Sequence, residues 1–265
     1  MDFEDLLLEK DGSIATITLN APDKLNAITA GMRKSLVSAT DEIAKDDEVR
    51  VVVVTGAGRG FCAGADVASL KARFEGTLEL SRYELLQATG WPYADLLPRL
   101  NKPVIAAVNG ACAGAGFSIA LSCDIRIASE AAKFVAAQVA RALVPDAGLT
   151  FYLSQAVGMS KALELMFTAE IIGAAEAERI GIVSRVVPPD ELMPAARELA
   201  AKIAQQAPIS VELTKKMVWR GLLDKLVRQI DLESYAQPIC FQTEDHRGSV
   251  RAFLEKRPIP PFKGK

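Results

Sequence analysis

Before Asp190 the chain alternates short apolar runs, each closed by a polar or glycine turn, with longer amphipathic stretches. Leu6 to Glu9 reads as a strand, and Ile14 to Leu19 alternates apolar residues with Thr or Ala as a half-buried strand does. Thr29 then opens a helical pattern that runs to Asp46. Val51 to Val54 and Val104 to Val108 are unbroken apolar runs, closed by Thr55-Gly56 and Asn109-Gly110, and suit strands covered on both faces. Further strands are predicted at 125 to 128, 133 to 135 and 183 to 187, with helices near 149 to 168 and 175 to 180. From Asp190 the apolar positions fall at helical spacing: Leu192, Ala196, Leu199 and Ile203, then Val211, Met217 and Val218. This predicts a helical tail to about Lys256. The charged stretch from Lys71 to Arg99 has no readable period. Strands joined by helices and followed by an all-helical end imply an α/β fold with an appended helical module.

One stretch, Val104 to Cys123, carries no charge over about the length of a bilayer span. Asn109, the glycines at 110, 114 and 116 and the abrupt Asp124-Ile125-Arg126 favour a buried strand, tight turn and buried helix instead. Over 265 residues the net charge is -2, from 31 basic and 33 acidic side chains, which gives no field for nucleic acid or an anionic membrane. Cys62, Cys112, Cys123 and Cys240 lack C-x-x-C spacing and are expected to be reduced, buried residues of a cytoplasmic protein. The acidic Met1-Asp2-Phe3-Glu4-Asp5 is unlike a secretory signal.

Candidate chemistry narrows quickly. Gly56 to Phe61 and the turn at Gly114 do not complete a dinucleotide fingerprint, and there is no phosphate-binding G-x-x-x-x-G-K-[S/T]. The single histidine, His246, lies within Glu244-Asp245-His246-Arg247 and is expected on a solvated face, so neither an imidazole-assisted nucleophile nor a three-ligand zinc site is expected, and no metal. Carboxylates and backbone dipoles remain. The tetrapeptide Cys62-Ala63-Gly64-Ala65 recurs as Cys112-Ala113-Gly114-Ala115, each copy after a valine-rich strand and a glycine turn. Two such units side by side would point two backbone N–H groups into one cleft, the second at the start of a helix through Phe117 to Leu121. That pair would form an oxyanion hole.

These residues resemble the crotonase (enoyl-CoA hydratase/isomerase) family. Gly58 to Asp66 looks like its first oxyanion motif, and Lys102 to Gly110, continuing through Ala115-Gly116, looks like its second. Asn20 to Ala27 and Ala252 to Arg257 also match family segments, so the likeness spans nearly the whole chain. The resemblance implies a crotonase-type spiral of β-β-α repeats over 1–195 and a C-terminal helical oligomerisation region over 196–265, packing as a homotrimer or a dimer of trimers. It implies an acyl-CoA thioester whose oxygen is held by the amides of Ala65 and Ala115. Coenzyme A, which enters with the substrate and leaves no separate cofactor to be bound, would lie near Lys24, Leu25, Ala63, Asp66 and Val67, with Phe253 and Lys256 often supplied by a neighbouring subunit. Gly114 and the side chains at 118 and 138 complete the substrate site.

The departures from the family pattern bear on the reaction. Hydratases of this kind carry two glutamates, where this chain has Ser118 and Gln138, and neither can act as a base near neutral pH. Instead Leu143-Val144-Pro145-Asp146-Ala147-Gly148 places Asp146 where hydratases usually have glycine, which resembles the ring-epoxide isomerases of phenylacetyl-CoA breakdown. An enoyl-CoA isomerase with Asp146 as acid and base is therefore expected, its pKa raised by burial among Phe117, Leu143, Val144 and Phe151. Other readings of Asp146 stay open: an N-cap of the following helix, the base of an altered hydratase, or a nucleophile as in family dehalogenases. A non-catalytic acyl-CoA binder is also open. Leu149 stands where the family has glycine and changes the shape of the acyl pocket.

Overall fold

A computed structural model describes residues 3–77 and 93–265; most of the unreadable stretch from 71 to 99 lies outside them. Strands β1 (Leu6–Asp11), β2 (Ile14–Leu19), β3 (Val51–Gly56), β5 (Val104–Val108), β7 (Ile125–Ser129) and β10 (Arg185–Val187) form one sheet in the order β1-β2-β3-β5-β7-β10. Strands β4 (Gly60–Cys62), β6 (Ala111–Ala113), β8 (Lys133–Val135) and β9 (Ile172–Gly173) form a second. The chain visits the sheets alternately, β3 then β4, β5 then β6, β7 then β8, with a helix between turns. Each turn adds one parallel strand to each sheet. This is the spiral of β-β-α repeats.

The unbroken apolar runs are explained by two cores on opposite faces of the larger sheet. Val52, Val54, Val104, Ala106, Val108 and Ala128 point to one, while Val51, Val53, Ile105, Ala107 and Ile127 point to the other. Because side chains alternate across a strand, a strand covered on both sides needs apolar residues at every position. Helix α1 (Ala30–Lys45) begins as expected, with the Thr29 side chain accepting from the Met32 amide at 3.0 Å. The uncharged stretch 104–123 is β5, β6 and the buried helix α4 (Ala115–Ser122), and among the described residues no helix is long and apolar enough to cross a membrane. Between β4 and β5 the described helices are α2 (Val67–Phe74) and α3 (Leu96–Arg99).

Several boundaries differ from those predicted. The helix near 149–168 is two, α5 (Leu149–Val157) and α6 (Met159–Thr168), broken at Gly158 with φ 78 and ψ 161. After α7 (Ala174–Arg179), the strand expected from 183 is ordered only over Arg185–Val187. The expected division at 195/196 falls inside α8 (Leu192–Ala204), whose Leu192, Ala196 and Ala200 complete the second core against the sheet.

The tail continues as α9 (Pro208–Gln242), 35 residues long, and α10 (Glu244–Leu254). Its apolar periodicity misleads: Met217 and Val218 are exposed, together with Ile209, Leu213, Leu232, Tyr235 and Ile239. The inward stripe holds Lys215, Leu226, Ile230, Glu233 and Gln237. Lys215 Nζ makes an ion pair with Asp124 Oδ2 at 2.9 Å and donates to the Leu97 and Lys102 carbonyls at 2.8 and 3.0 Å. Trp219 Nε1 donates to the other oxygen of Asp124 at 2.7 Å, so polar contacts fasten α9 to the core.

Candidate active site

The two repeated tetrapeptides lie side by side, since β4 and β6 pair in parallel with Cys62 opposite Cys112. Gly64, at φ 92, is in a region that L side chains rarely adopt, and a Cβ there would come within 2.8 Å of the Ala113 carbonyl and 3.4 Å of the Ala115 nitrogen. At Gly116 a Cβ would stand 2.2 Å from the Cys62 carbonyl, so the second turn seats directly on the first. The Gly64 carbonyl accepts from Ile28 and the Gly114 amide donates to Val135, which ties both turns to neighbouring chain at 2.8 and 3.0 Å. Among the described residues neither the Ala65 nor the Ala115 N–H has a protein acceptor. Ala115 is the first residue of α4, where the opening amides of a helix have no partner within it and carry its partial positive charge. The two amides are adjacent and available, as an oxyanion hole requires.

Asp146 follows Pro145 in the loop before α5 and is buried. Gln138 Nε2 donates to its Oδ1 at 3.1 Å, and Gln237 Nε2, from α9, donates to its Oδ2 at 2.8 Å. Burial raises the carboxyl's pKa above the usual aspartate range, and the two amide donors oppose that shift. Asp146 is not the N-cap of α5: Gly148 is, at φ 80. The Gln138 carboxamide packs beside the second turn, for a Cβ at Gly114 would lie 3.7 Å from its Nε2. Ser118 is 2% exposed, and its hydroxyl donates to the Asp146 carbonyl at 3.1 Å, so it fastens the Asp146 loop to α4.

A second buried carboxyl went unpredicted. Glu233 of α9 accepts from the Gly148 and Thr150 amides at 2.7 and 3.1 Å and from the Thr150 hydroxyl, capping α5 from a distant part of the chain. Burial pushes its pKa up to about 7 against those donors, with the charge of Asp146 adding to the rise. Nothing local in the sequence marks Glu233 or Gln237, because they stand among other charged residues of the same helix, such as Asp224, Lys225, Arg228 and Asp231.

The expected coenzyme-binding residues gather at the mouth of the first turn. The loop of Lys24 and Leu25 is held by Asn26, whose carboxamide donates to the Ala57 and Gly60 carbonyls at 2.9 and 2.7 Å and accepts from Ala21 at 2.9 Å. Leu25 in turn accepts from the Ala63 amide at 2.9 Å, and Lys24 Nζ lies 3.6 Å from Asp66 Oδ1. Val67 is exposed at the start of α2. Phe253 and Lys256, which the resemblance often assigns to a neighbouring subunit, lie at and just past the end of α10, which packs on this chain's own α2 and on its turn at Val139–Arg141, with the Arg141 guanidinium 4.5 Å from the centre of the Phe253 ring. That packing also buries His246, contrary to the solvated face expected: it is 5% exposed, its Nδ1 is 2.9 Å from the Arg141 carbonyl, and its ring lies against Phe241. A separate cavity of about 460 Å³ opens beyond the Asp146 loop, between Pro145, Phe151, Met166 and Gln229, and neither Asp146 nor the two alanines line it.

Comparison with known proteins supplies the family. Residues 9–265 match the family model described as enoyl-CoA hydratase/isomerase. The chain belongs to the enoyl-CoA hydratase/isomerase family. Within it, the chain is 43% identical over 266 residues to a short-chain-enoyl-CoA hydratase of Clostridium acetobutylicum, covering all of both chains. The fold superposes with a TM-score of 0.86 on an enoyl-CoA hydratase from Mycobacterium avium subsp. paratuberculosis K-10, at 29% identity over 99% of this chain and 100% of that one. It also superposes, at 0.69 and 36% identity over 91% of this chain and 99% of the other, on a monofunctional enoyl-CoA isomerase from M. smegmatis. Family relatives thus bear names from both reactions.

Proposed function

We propose that the protein is an acyl-CoA isomerase in which the N–H groups of Ala65 and Ala115 hold the thioester oxygen and Asp146 moves the proton. The main support is the contrast between the two buried carboxyls. Glu233 is occupied by three donors of the α5 terminus, whereas Asp146 is held by two carboxamides, one of which, that of Gln138, lies beside Gly114, the residue before Ala115. Relocating a double bond needs one carboxyl. Asp146 takes a proton from the carbon beside the thioester, the electrons of that bond pass to the carbonyl oxygen held by the two amides, and the proton returns at the far end of the allylic system. A raised pKa suits a group that must both take and release a proton. In a ring-epoxide substrate the same proton would assist opening of the ring.

Coenzyme A enters as part of the substrate, along Lys24, Leu25, Ala63, Asp66 and Val67, with Phe253 and Lys256 nearby. The exposed apolar stripe of α9 suits assembly as a trimer or a dimer of trimers. Hydration is the second reading, favoured by the name of the C. acetobutylicum relative; in it Asp146 and Gln138 would hold the water. Separate incubations with 3-enoyl-CoA and 2-enoyl-CoA, followed by absorbance and mass, distinguish the two. Isomerisation of the 3-enoyl thioester by wild type and its loss in Asp146→Asn are expected. An inert 3-enoyl thioester, or full activity in the variant, refutes the isomerase; water addition to the 2-enoyl thioester supports the hydratase, and tight binding without turnover a carrier.

A further inference from the structure

The two glutamines around Asp146 differ in how they are held. Gln237 Nε2 donates both to Asp146 Oδ2 and to the Val144 carbonyl, at 2.8 and 3.1 Å, so its carboxamide is fixed from two directions. Gln138 Nε2 has one acceptor among the described residues, Asp146 Oδ1. Both side chains are more than nine-tenths buried, and the Oε1 atom of each has no hydrogen-bond partner. Buried acceptors are normally paired, so two idle ones flanking one carboxyl call for a reason.

A carboxylate only accepts, whereas a carboxylic acid also carries one donor. The arrangement here satisfies the carboxylate. Once Asp146 holds a proton, its O–H needs an acceptor, and each flanking carboxamide carries an unused one. Turning Gln237 would break its bond to Val144. Turning Gln138 by half a rotation about its last bond breaks only the bond to Oδ1 and replaces it with one from the new O–H to Oε1.

We propose that Asp146 Oδ1 is the oxygen that takes and returns the proton, and that Gln138 is a positioning residue whose carboxamide turns over with each transfer while Gln237 stays a fixed donor to Oδ2. This rests on the reading of Asp146 as the acid and base. The proton passes from substrate carbon to Oδ1 and back, and no other atom is exchanged. The Gln138 carboxamide also lies beside Gly114, the residue before Ala115, which puts Oδ1 on the side of the amide pair. The titratable groups among the described residues that feel the Asp146 charge are Tyr93, before α3, and Glu233 of α9.

The test is to titrate Asp146 in the ligand-free protein by carboxyl infrared difference against Asp146→Asn, in wild type, Gln138→Met and Gln237→Met. Losing the fixed donor in Gln237→Met destabilises only the carboxylate and raises the midpoint by about one pH unit. Losing Gln138 removes a donor to one form and an acceptor to the other, so the midpoint stays within about 0.3 unit while 3-enoyl-CoA turnover falls roughly tenfold or more. Gln138→Leu serves if the methionine variant does not fold. A midpoint that rises as far in Gln138→Met as in Gln237→Met overturns the proposal, as does wild-type turnover in Gln138→Met. If Asp146→Asn keeps full turnover while the titration pattern holds, the acid and base role of Asp146 fails and the turning carboxamide stands.

Discussion

Replacing Glu233 with glutamine should flatten much of the protein's dependence of stability on pH. Its carboxyl is 3% exposed and titrates near 7 in the folded chain against 4.5 as its ordinary value. A raised folded pKa means that folding favours the protonated form, so the contribution is full below 4.5 and is lost as pH rises through 7. Between pH 5 and 8 a shift of this size is worth about 2.5 kcal/mol at 1.36 kcal/mol per unit. For a chain of 265 residues the entropy of unfolding is roughly 0.55 kcal/mol/K, so the wild-type Tm should fall by about 5 °C more than that of the variant over the same range. Circular dichroism melts at half-unit pH intervals measure this difference, and of the Asp146 contribution only its coupling to Glu233 differs between the two proteins. Glutamine leaves one acceptor for Gly148 or Thr150 and loses the other, which lowers the variant by a constant amount without altering the slope. If the two proteins lose stability in parallel from pH 5 to 8, Glu233 is not the group that titrates.

Three further outcomes follow from the geometry. Because burial raises the Asp146 pKa and the base must be ionised, kcat/KM for 3-enoyl-CoA should rise with pH through a midpoint above the ordinary carboxylate range, and a flat profile down to pH 4 would remove Asp146 as the base. Gly116→Ala places a methyl 2.2 Å from the Cys62 carbonyl, so a soluble variant should bind thioester normally yet lose on the order of 10²-fold in turnover as the amides separate, and unchanged kinetics would refute the seating of one turn on the other. Lys215→Met leaves the Asp124 carboxylate without its buried cation and should cost about 3 to 5 kcal/mol in urea unfolding; a loss under 1 kcal/mol would show that Trp219 and the Val104 amide suffice to hold that carboxylate.

The strands and the paired turns were legible in the sequence because their causes are local, whereas the spiral that joins them was implied only by the family resemblance. Val51 to Val54 and Val104 to Val108 announce strands buried on both faces, and the repeated Cys-Ala-Gly-Ala announces two equivalent turns. Asp146 drew notice through the family resemblance, which puts it where hydratases usually have glycine, although its partners were not legible. Gln138 was noted for what it lacks as a base, and its use as a donor appears only once the loop folds back on it. His246, in α10, was misplaced on the strength of its charged neighbours Glu244, Asp245 and Arg247, whereas Glu233 and Gln237 were missed for a reason that lies in α9. Hydrophobic periodicity assumes that the apolar face of a helix turns inward, and α9 buries Lys215, Glu233 and Gln237 while exposing Met217, Leu232 and Tyr235. The cost of burying these polar groups is met by partners far away in sequence, which no local window contains.

In α9, Leu232, Tyr235 and Ile239 face outward from the same turns whose inner face carries Glu233 and Gln237. A contact that shifts or steadies those outer residues therefore acts, through one backbone, on the groups that hold Asp146 and the start of α5. Thermodynamic linkage makes such an influence run both ways. A surface that came to rest on the outer stripe would therefore be felt by the acid inside, and a ligand that moved Asp146 would be felt in turn at the outer stripe.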